Sequence, residues 1–222
     1  MNGRGQLSFT FDHRPALSGD DFLVSACNRE AIAWLDGWPD WPAPALIIYG
    51  PAGCGKTHLT QVFSARVDAL SLSGAESEEA LLSRIGAGAA AYTADDADSG
   101  FAEETLLHVY NAVSAAGGQL LLTASRPPKI WNPALPDLAS RLLGAPACAI
   151  GLPDDELIKG VLFKLFSDRQ LKIDAAVIDY LVQRIERSLD TARGLVDRID
   201  RAALSRRRDI TVPFVRDVLS ET

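Results

Sequence analysis

The stretch that most constrains this chain is Gly50-Pro51-Ala52-Gly53-Cys54-Gly55-Lys56-Thr57. It follows an apolar run, Ala45-Leu46-Ile47-Ile48-Tyr49, and leads into His58-Leu59-Thr60-Gln61-Val62-Phe63, which reads as a helix. Strand, G-x-x-x-x-G-K-[ST] and helix, in that order, form the context in which such a loop cradles phosphate. Glycines lack a Cβ, so the backbone can bend tightly and turn its N–H groups inward. The helix that follows presents its positive end to the same point. In such a loop Lys56 reaches the β and γ phosphates as a point charge, and Thr57 offers its hydroxyl to Mg²⁺. The expectation is therefore a nucleotide-binding protein.

Composition narrows the setting. A chain of 222 residues holds one sizeable core, or a core with a small second domain. No apolar stretch is long enough to cross a bilayer, and the first six residues show no apolar signal region, so no membrane association is expected. The three cysteines, Cys27, Cys54 and Cys148, follow neither a metal-binding spacing nor a disulfide framework. A reducing, cytoplasmic location is the natural expectation. The formal net charge of −7 counts against a direct grip on DNA and points to contact through a partner.

Along the chain, Gln6-Leu7-Ser8-Phe9-Thr10-Phe11 reads either as an edge strand or as a short linear motif that docks in an apolar pocket. Asn28 is placed to cap a helix over 29–35. After the phosphate-loop helix, which should end near Val67, strands are expected over 67–72, 89–94, 119–124 and 148–150. Helices are expected over 76–85, 101–116 and 135–143, with Ser125 to Lys129 as a loop. This alternation argues for a parallel three-layer α/β sheet. Asp95 and Asp96 close the third strand. In a phosphate-loop protein that is where a metal-side acid and a water-orienting acid stand, although a plain acidic loop has the same composition. Beyond Gly151-Leu152-Pro153 the pattern becomes helical, over 154–169, 174–188, 190–206 and 213–219. Arg206-Arg207-Arg208 reads as a solvated helix end. The domain division expected is a tail at 1–19, an α/β domain at 20–152 and a helical domain at 153–222.

A phosphate-loop α/β domain followed by a helical lid resembles the AAA+ ATPases, and within them the replication initiator DnaA. Residues 22–29, with Val24 and Asn28, look like the initiator family's adenine-contacting segment. Pro51 to Leu59, including His58, is similar to its phosphate loop. Residues 123–129 resemble its sensor-1 loop, Asp137-Leu138-Ala139-Ser140-Arg141-Leu142 its arginine-finger motif, and Arg193 stands at the sensor-2 position. Three departures stand beside these matches. A helix-turn-helix domain and the helices that line single-stranded DNA have no counterpart, and Ser125 stands where initiators carry an aspartate. The tail, through Gln6, Leu7, Phe9 and Phe11, resembles a β sliding-clamp-binding motif. Together these features resemble the Hda family of DnaA-homologous regulatory inactivators.

The resemblance implies an AAA+ fold holding ADP or ATP with Mg²⁺, with Thr57 and Asp95 on the metal. It implies a tail that binds the DNA-loaded clamp, and so reaches DNA only indirectly. It implies Arg141 as a finger that stimulates ATP hydrolysis by DnaA; by itself that arginine could equally form a salt bridge toward the lid. Relatives pack head to tail, so a homo-oligomer of that kind is also implied. Two other functions stay open at this level: a helicase-loader-like adaptor, and an autonomous ATPase working through Asp96.

Overall fold

The computed structural model describes residues 23–221. The tail motif around Gln6, Leu7, Phe9 and Phe11 lies outside the described residues. Within them the chain forms two compact units. One spans Cys27–Gly151; the other comprises Leu23–Ala26 and the residues from Leu152 onward.

The first unit is built on five short strands: β1 (Ala45–Tyr49), β2 (Leu70–Leu72), β3 (Ala91–Ala94), β4 (Gln119–Ala124) and β5 (Ala147–Ala149). β1 and β4 are near-continuous apolar runs, as a sheet covered on both faces requires. All pairings are parallel, in the order β2-β3-β4-β1-β5. The helices between them are α1 (Arg29–Asp36), α2 (Lys56–Val67), α3 (Glu78–Gly86), α4 (Ala97–Gly100), α5 (Glu103–Ala115), α6 (Pro128–Trp131) and α7 (Pro136–Gly144).

Alternation along the strands divides these helices between two faces. Ala45, Ile47, Tyr92, Ala94, Leu120 and Leu122 join one apolar cluster with Leu81 and Ile85 of α3, Leu106, Val109 and Val113 of α5, and Leu138 and Leu142 of α7. The intervening residues point the other way, where Ser64 of α2 meets Thr93 at 3.4 Å. On α2, Phe63 is fully buried; Trp41 stacks on it at 5.7 Å and Trp38 meets it edge-on at 6.2 Å. Tyr92 is completely buried, yet its hydroxyl is satisfied: it donates to the Ile85 carbonyl at 3.1 Å and accepts from Ala89 N–H at 2.8 Å.

The register aligns the carboxyl ends of the strands. Tyr49 pairs with both Ala124 and Ala149, and Ala94 pairs with Leu122. The phosphate loop after β1, the Asp95-Asp96 pair after β3 and Ser125 after β4 therefore leave the sheet along one edge. That is where ligands settle on open parallel sheets.

Several boundaries differ from expectation, each for a local reason. β2 begins at Leu70, because α2 runs through Val67 and Asp68 then turns left-handed, at φ 54°. The expected helix over 101–116 is α5, which starts at Glu103 because Phe101 is extended; a short unexpected helix, α4, precedes it and ends at Gly100. The loop after β4 contains α6, which Pro128 opens from its first turn.

The second unit is helical: α8 (Asp155–Asp168), α9 (Ala175–Val182), α10 (Leu189–Arg206) and α11 (Val212–Ser220). Side-chain caps set three of the starts. Asp154 accepts from Leu157 N–H at 2.7 Å, Ser188 from Thr191 N–H at 3.2 Å, and Thr211 from Phe214 N–H at 3.4 Å. The expected helix over 174–188 stops at Val182, and Ser188 serves as the cap of α10. Leu162, Phe166, Leu181, Val196, Ile199 and Phe214 are among the buried side chains of this unit. Among the described residues no helix is long and apolar enough to cross a membrane.

Gly74 shows how tightly the corner near α4 is drawn. A Cβ there would lie 1.7 Å from the Gly100 carbonyl oxygen and 2.6 Å from its carbon. Gly74→Ala is expected to lower stability by at least ~1–3 kcal/mol, the usual cost of overpacking. Gly86→Ala, with nothing within 4 Å of the new methyl, should be neutral or slightly stabilising. Urea denaturation of the two variants beside the parent protein checks the contrast.

Candidate nucleotide-binding site

The phosphate loop owes its shape to glycine at three points. Gly53 and Gly55 have φ of 73° and 102°, a region that side chains rarely adopt. At Gly50 the reason is space: a Cβ would come within 2.4 Å of the Ile150 carbonyl oxygen and 3.0 Å of the Cys54 sulfur. Pro51 and Ala52 are exposed at the rim, Cys54 is buried beneath, and His58 is half-buried in the first turn of α2. Burial pushes the Cys54 thiol above its ordinary pKa, opposed by the nearby Lys56 ammonium, so the sulfur acts as packing rather than as a nucleophile. Burial likewise pushes Cys148 up to about 12.

Lys56 is the principal cation of the site. Only 8% of it is exposed, and its Nζ donates to the carbonyls of Gly50 at 2.8 Å and Pro51 at 3.1 Å. The ammonium is thus held inside the loop by the loop's own backbone.

Thr57 and Asp95, 38 residues apart in sequence, meet directly: Thr57 Oγ1 donates to Asp95 Oδ2 at 2.6 Å. The other carboxylate oxygen, Oδ1, accepts from the Thr123 hydroxyl. Thr123 in turn accepts from the backbone N–H of Asp96 at 2.9 Å. These donors fit Mg²⁺, which takes hard oxygen ligands, one or two of them from protein, and leaves the remainder to water and phosphate. Among the described residues no three His, Cys, Asp or Glu side chains converge as a cage that would hold a metal without a phosphate.

Asp96 has left-handed backbone, φ 48°, at the N-cap position of α4. Its carboxyl binds a proton more readily than usual. Burial is the main cause, followed by the charge of Asp95; Lys56 works against both, and Asp98 adds a further push. Asp98, on α4, accepts from the Ser125 backbone N–H at 3.0 Å and from the Ser125 hydroxyl. One chain of hydrogen bonds thus joins Thr57, Asp95, Thr123 and Asp96, and a second joins α4 to the end of β4.

The remaining expected site residues belong to other elements of the chain. Asn28 occupies the N-cap position of α1 and is 4% exposed, but its side chain makes no capping hydrogen bond. Val24 and Arg193 belong to the helical unit. There Arg193 lies 3.8 Å from Asp190, a loose i,i+3 pair on an exposed face. Arg141 is exposed on α7. Leu138 and Leu142 are buried and anchor that helix, and Glu103 of α5 accepts from the N–H groups of Ala134 and Leu135 at its approach, 2.8 and 3.2 Å away. The Arg141 guanidinium lies 5.4 Å from the centre of the Tyr110 ring, and no carboxylate of the α/β unit pairs with it among the described residues.

Sequence reasoning gave no individual role to Thr123 or to Asp98. The signal for Thr123 was a hydroxyl residue inside the otherwise apolar Leu120-Leu121-Leu122-Thr123-Ala124 run. For Asp98 there was only its nearness to two other aspartates.

Comparison with known proteins agrees with this architecture. Residues 157–219 match the family described as the Hda lid domain. Domain III of the replication initiation protein DnaA from Thermotoga maritima superposes with a TM-score of 0.75 at 17% identity, covering 94% of this chain and 97% of that one. AMPPCP-bound DnaA from Aquifex aeolicus gives 0.66 at 21% identity, over 84% of this chain and 66% of that one. The RuvB Holliday junction branch migration motor of Thermotoga maritima gives 0.62 at 15%, over 80% and 61%. The fold is that of the AAA+ domains of these proteins, a parallel α/β sheet, accompanied by a helical unit that matches the Hda lid domain over residues 157–219.

Thr123→Val removes one hydroxyl and leaves both the Asp96 N–H and one oxygen of Asp95 without their partner. A loss of ~1–3 kcal/mol is expected from the unsatisfied groups. Nucleotide affinity should fall more with Mg²⁺ than with EDTA; paired denaturation and fluorescent-nucleotide titrations check both.

Proposed function

We propose that this Hda/DnaA-like AAA+ protein holds an adenine nucleotide and restrains replication initiation by stimulating ATP hydrolysis in DnaA. The observation that carries the reading is the state of Arg141. A helix anchored by the buried Leu138 and Leu142 presents an exposed guanidinium whose contact is the face of Tyr110, a hold of about 0.5–1 kcal/mol at an exposed site. A cation held that weakly can be transferred to an anion on a neighbour. Ile130 of α6 and Leu143 of α7 are each 56% exposed, and the two helices touch, so apolar surface accompanies the charge.

In this reading Arg141 enters the partner's nucleotide site and stabilises charge developing on the transferred phosphate. Fingers of this kind contribute ~10³–10⁵ in rate in GTPases. The chain's own site has a different task. The phosphate-loop amides, the N-terminus of α2 and Lys56 hold the nucleotide phosphates. Mg²⁺, when bound, neutralises phosphate charge, with Thr57 and Asp95 as its protein ligands. Asp96 orients water, and Val24, Asn28, His58 and Arg193 contact the nucleotide as the family resemblance implies. The adenine assignment is supported by the AMPPCP-bound DnaA of the same fold. The tail residues Gln6, Leu7, Phe9 and Phe11 bind the β sliding clamp loaded on DNA. An acidic chain with a net charge of −7 then needs no DNA contact of its own. Docking on DnaA follows the head-to-tail packing of AAA+ subunits, and the same surfaces allow a homo-oligomer.

The decisive measurement is ATP hydrolysis by DnaA with clamp loaded on DNA, with and without this chain. Stimulation is expected with the parent protein. Arg141→Ala should lose it at least a hundredfold while keeping nucleotide and clamp binding. Normal stimulation by that variant refutes the finger. Separately, Gln6→Ala should reduce binding to immobilised clamp and lower stimulation only when the clamp is present.

A further inference from the structure

Asp98 stands two residues beyond the Asp95-Asp96 pair, on α4. One of its oxygens, Oδ2, accepts both donors that Ser125 offers, the backbone N–H at 3.0 Å and the side-chain hydroxyl. Ser125 follows β4, the strand between β1 and β3, so these donors flank the phosphate loop on one side and Asp95 on the other. Gly50 N–H donates to the Ala124 carbonyl at 3.1 Å, which fixes the residue before Ser125 directly to the start of the loop. N–H and O–H groups at such a strand end are what a terminal phosphate recruits. Here a carboxylate has taken both.

The second oxygen of the same carboxylate, Oδ1, is closed off from solvent and has no hydrogen-bond donor among the described residues. An aspartate that merely tied down a loop would keep its spare oxygen in water, where it is satisfied. The short helix that carries Asp98, α4, ends two residues later at Gly100, against which Gly74 packs. The charge of Asp98 is felt by neighbouring Asp96, which also carries the charge of Asp95, with Lys56 as the opposing cation. The third phosphate of a nucleoside triphosphate adds negative charge on this side of the loop. It would meet a carboxylate where it needs a donor, and like charges at short range in partly buried surroundings repel strongly.

We propose that Asp98 is a specificity-determining residue that weakens the hold of this site on a γ-phosphate, so that a nucleoside diphosphate is retained in preference to the triphosphate. The inference rests on the nucleotide-binding reading above. It assigns the preference to a residue outside the phosphate loop, acting by donor capture and by charge. The loop amides, Lys56 and Thr57 continue to serve the inner phosphates, so the diphosphate is left unaffected.

The test uses the full chain and a fluorescent ADP analogue displaced by ADP or by AMPPCP, both with Mg²⁺. The parent protein should favour ADP. Asp98→Ala should raise AMPPCP affinity relative to ADP by about tenfold, the scale of one charge-assisted hydrogen bond, with ADP affinity held within about twofold. Asp98→Asn keeps an acceptor for Ser125 and drops the charge, so it should give a smaller gain. Adding Ser125→Ala to Asp98→Ala removes the freed hydroxyl and should take back part of the gain. Melting curves of the Asn variant confirm that the fold is retained. An AMPPCP-to-ADP ratio that moves by less than about twofold in both Asp98 variants overturns the proposal. So does an equal loss of both nucleotides in Asp98→Asn, which would make Asp98 a structural tie. A parent protein that binds neither nucleotide overturns the underlying reading instead, and is recognised by the absence of any displaced signal.

Discussion

One buried hydroxyl holds the site in register. Thr123, 1% exposed, donates to Asp95 and accepts from the N–H of Asp96. Asp95 passes the connection to Thr57 at the start of α2. The ends of β3 and β4 and the mouth of the phosphate loop are thereby joined through polar atoms, with the buried Thr123 hydroxyl at one end and the exposed Thr57 at the other. The buried hydroxyl is costly to leave unpaired, so it holds its partners in one arrangement. Parallel pairing supplies the frame, but backbone hydrogen bonds alone leave the side chains at strand ends free to rotate. The hydroxyl removes that freedom where a metal and a phosphate would be received.

The same logic explains the contrast between the two arginine environments. One guanidinium nitrogen of Arg84 donates to both oxygens of Glu76, at 2.7 and 2.6 Å, and another donates to the Ser71 carbonyl, which fixes the turn before α3. Arg141 has a ring face instead of a carboxylate. The first is spent on structure and the second is left for something else. α7 can present it because Leu138 and Leu142, four residues apart, anchor the helix and Arg141 stands at the edge of the face they bury.

Much of this was legible in the amino-acid order. The loop glycines announce themselves by spacing, and two of them occupy backbone conformations that only glycine adopts readily. The four long helices of the second unit were visible from apolar periodicity and from caps such as Asp154 and Thr211. What escaped were short elements. α4 and α6 have four residues each, too few to show a period, and their positions depend on contacts at the sheet edge. α9 looked longer because its polar continuation resembles an exposed helix face, until Ser188 is needed as the next cap.

The sequence by itself determined the phosphate loop, the parallel α/β alternation and the helical unit, because each follows from rules that act over a few residues: φ preference, side-chain period, capping. The tertiary structure decided which distant groups became partners. Thr57 and Asp95 are 38 residues apart, and Asp98 and Ser125 are 27 apart. Their meeting depends on a strand order in which β4 lies between β1 and β3, although β3 precedes it and β1 comes first in the chain. Local spacing carries no record of that order, since it is set by how whole strands and helices bury their apolar faces together.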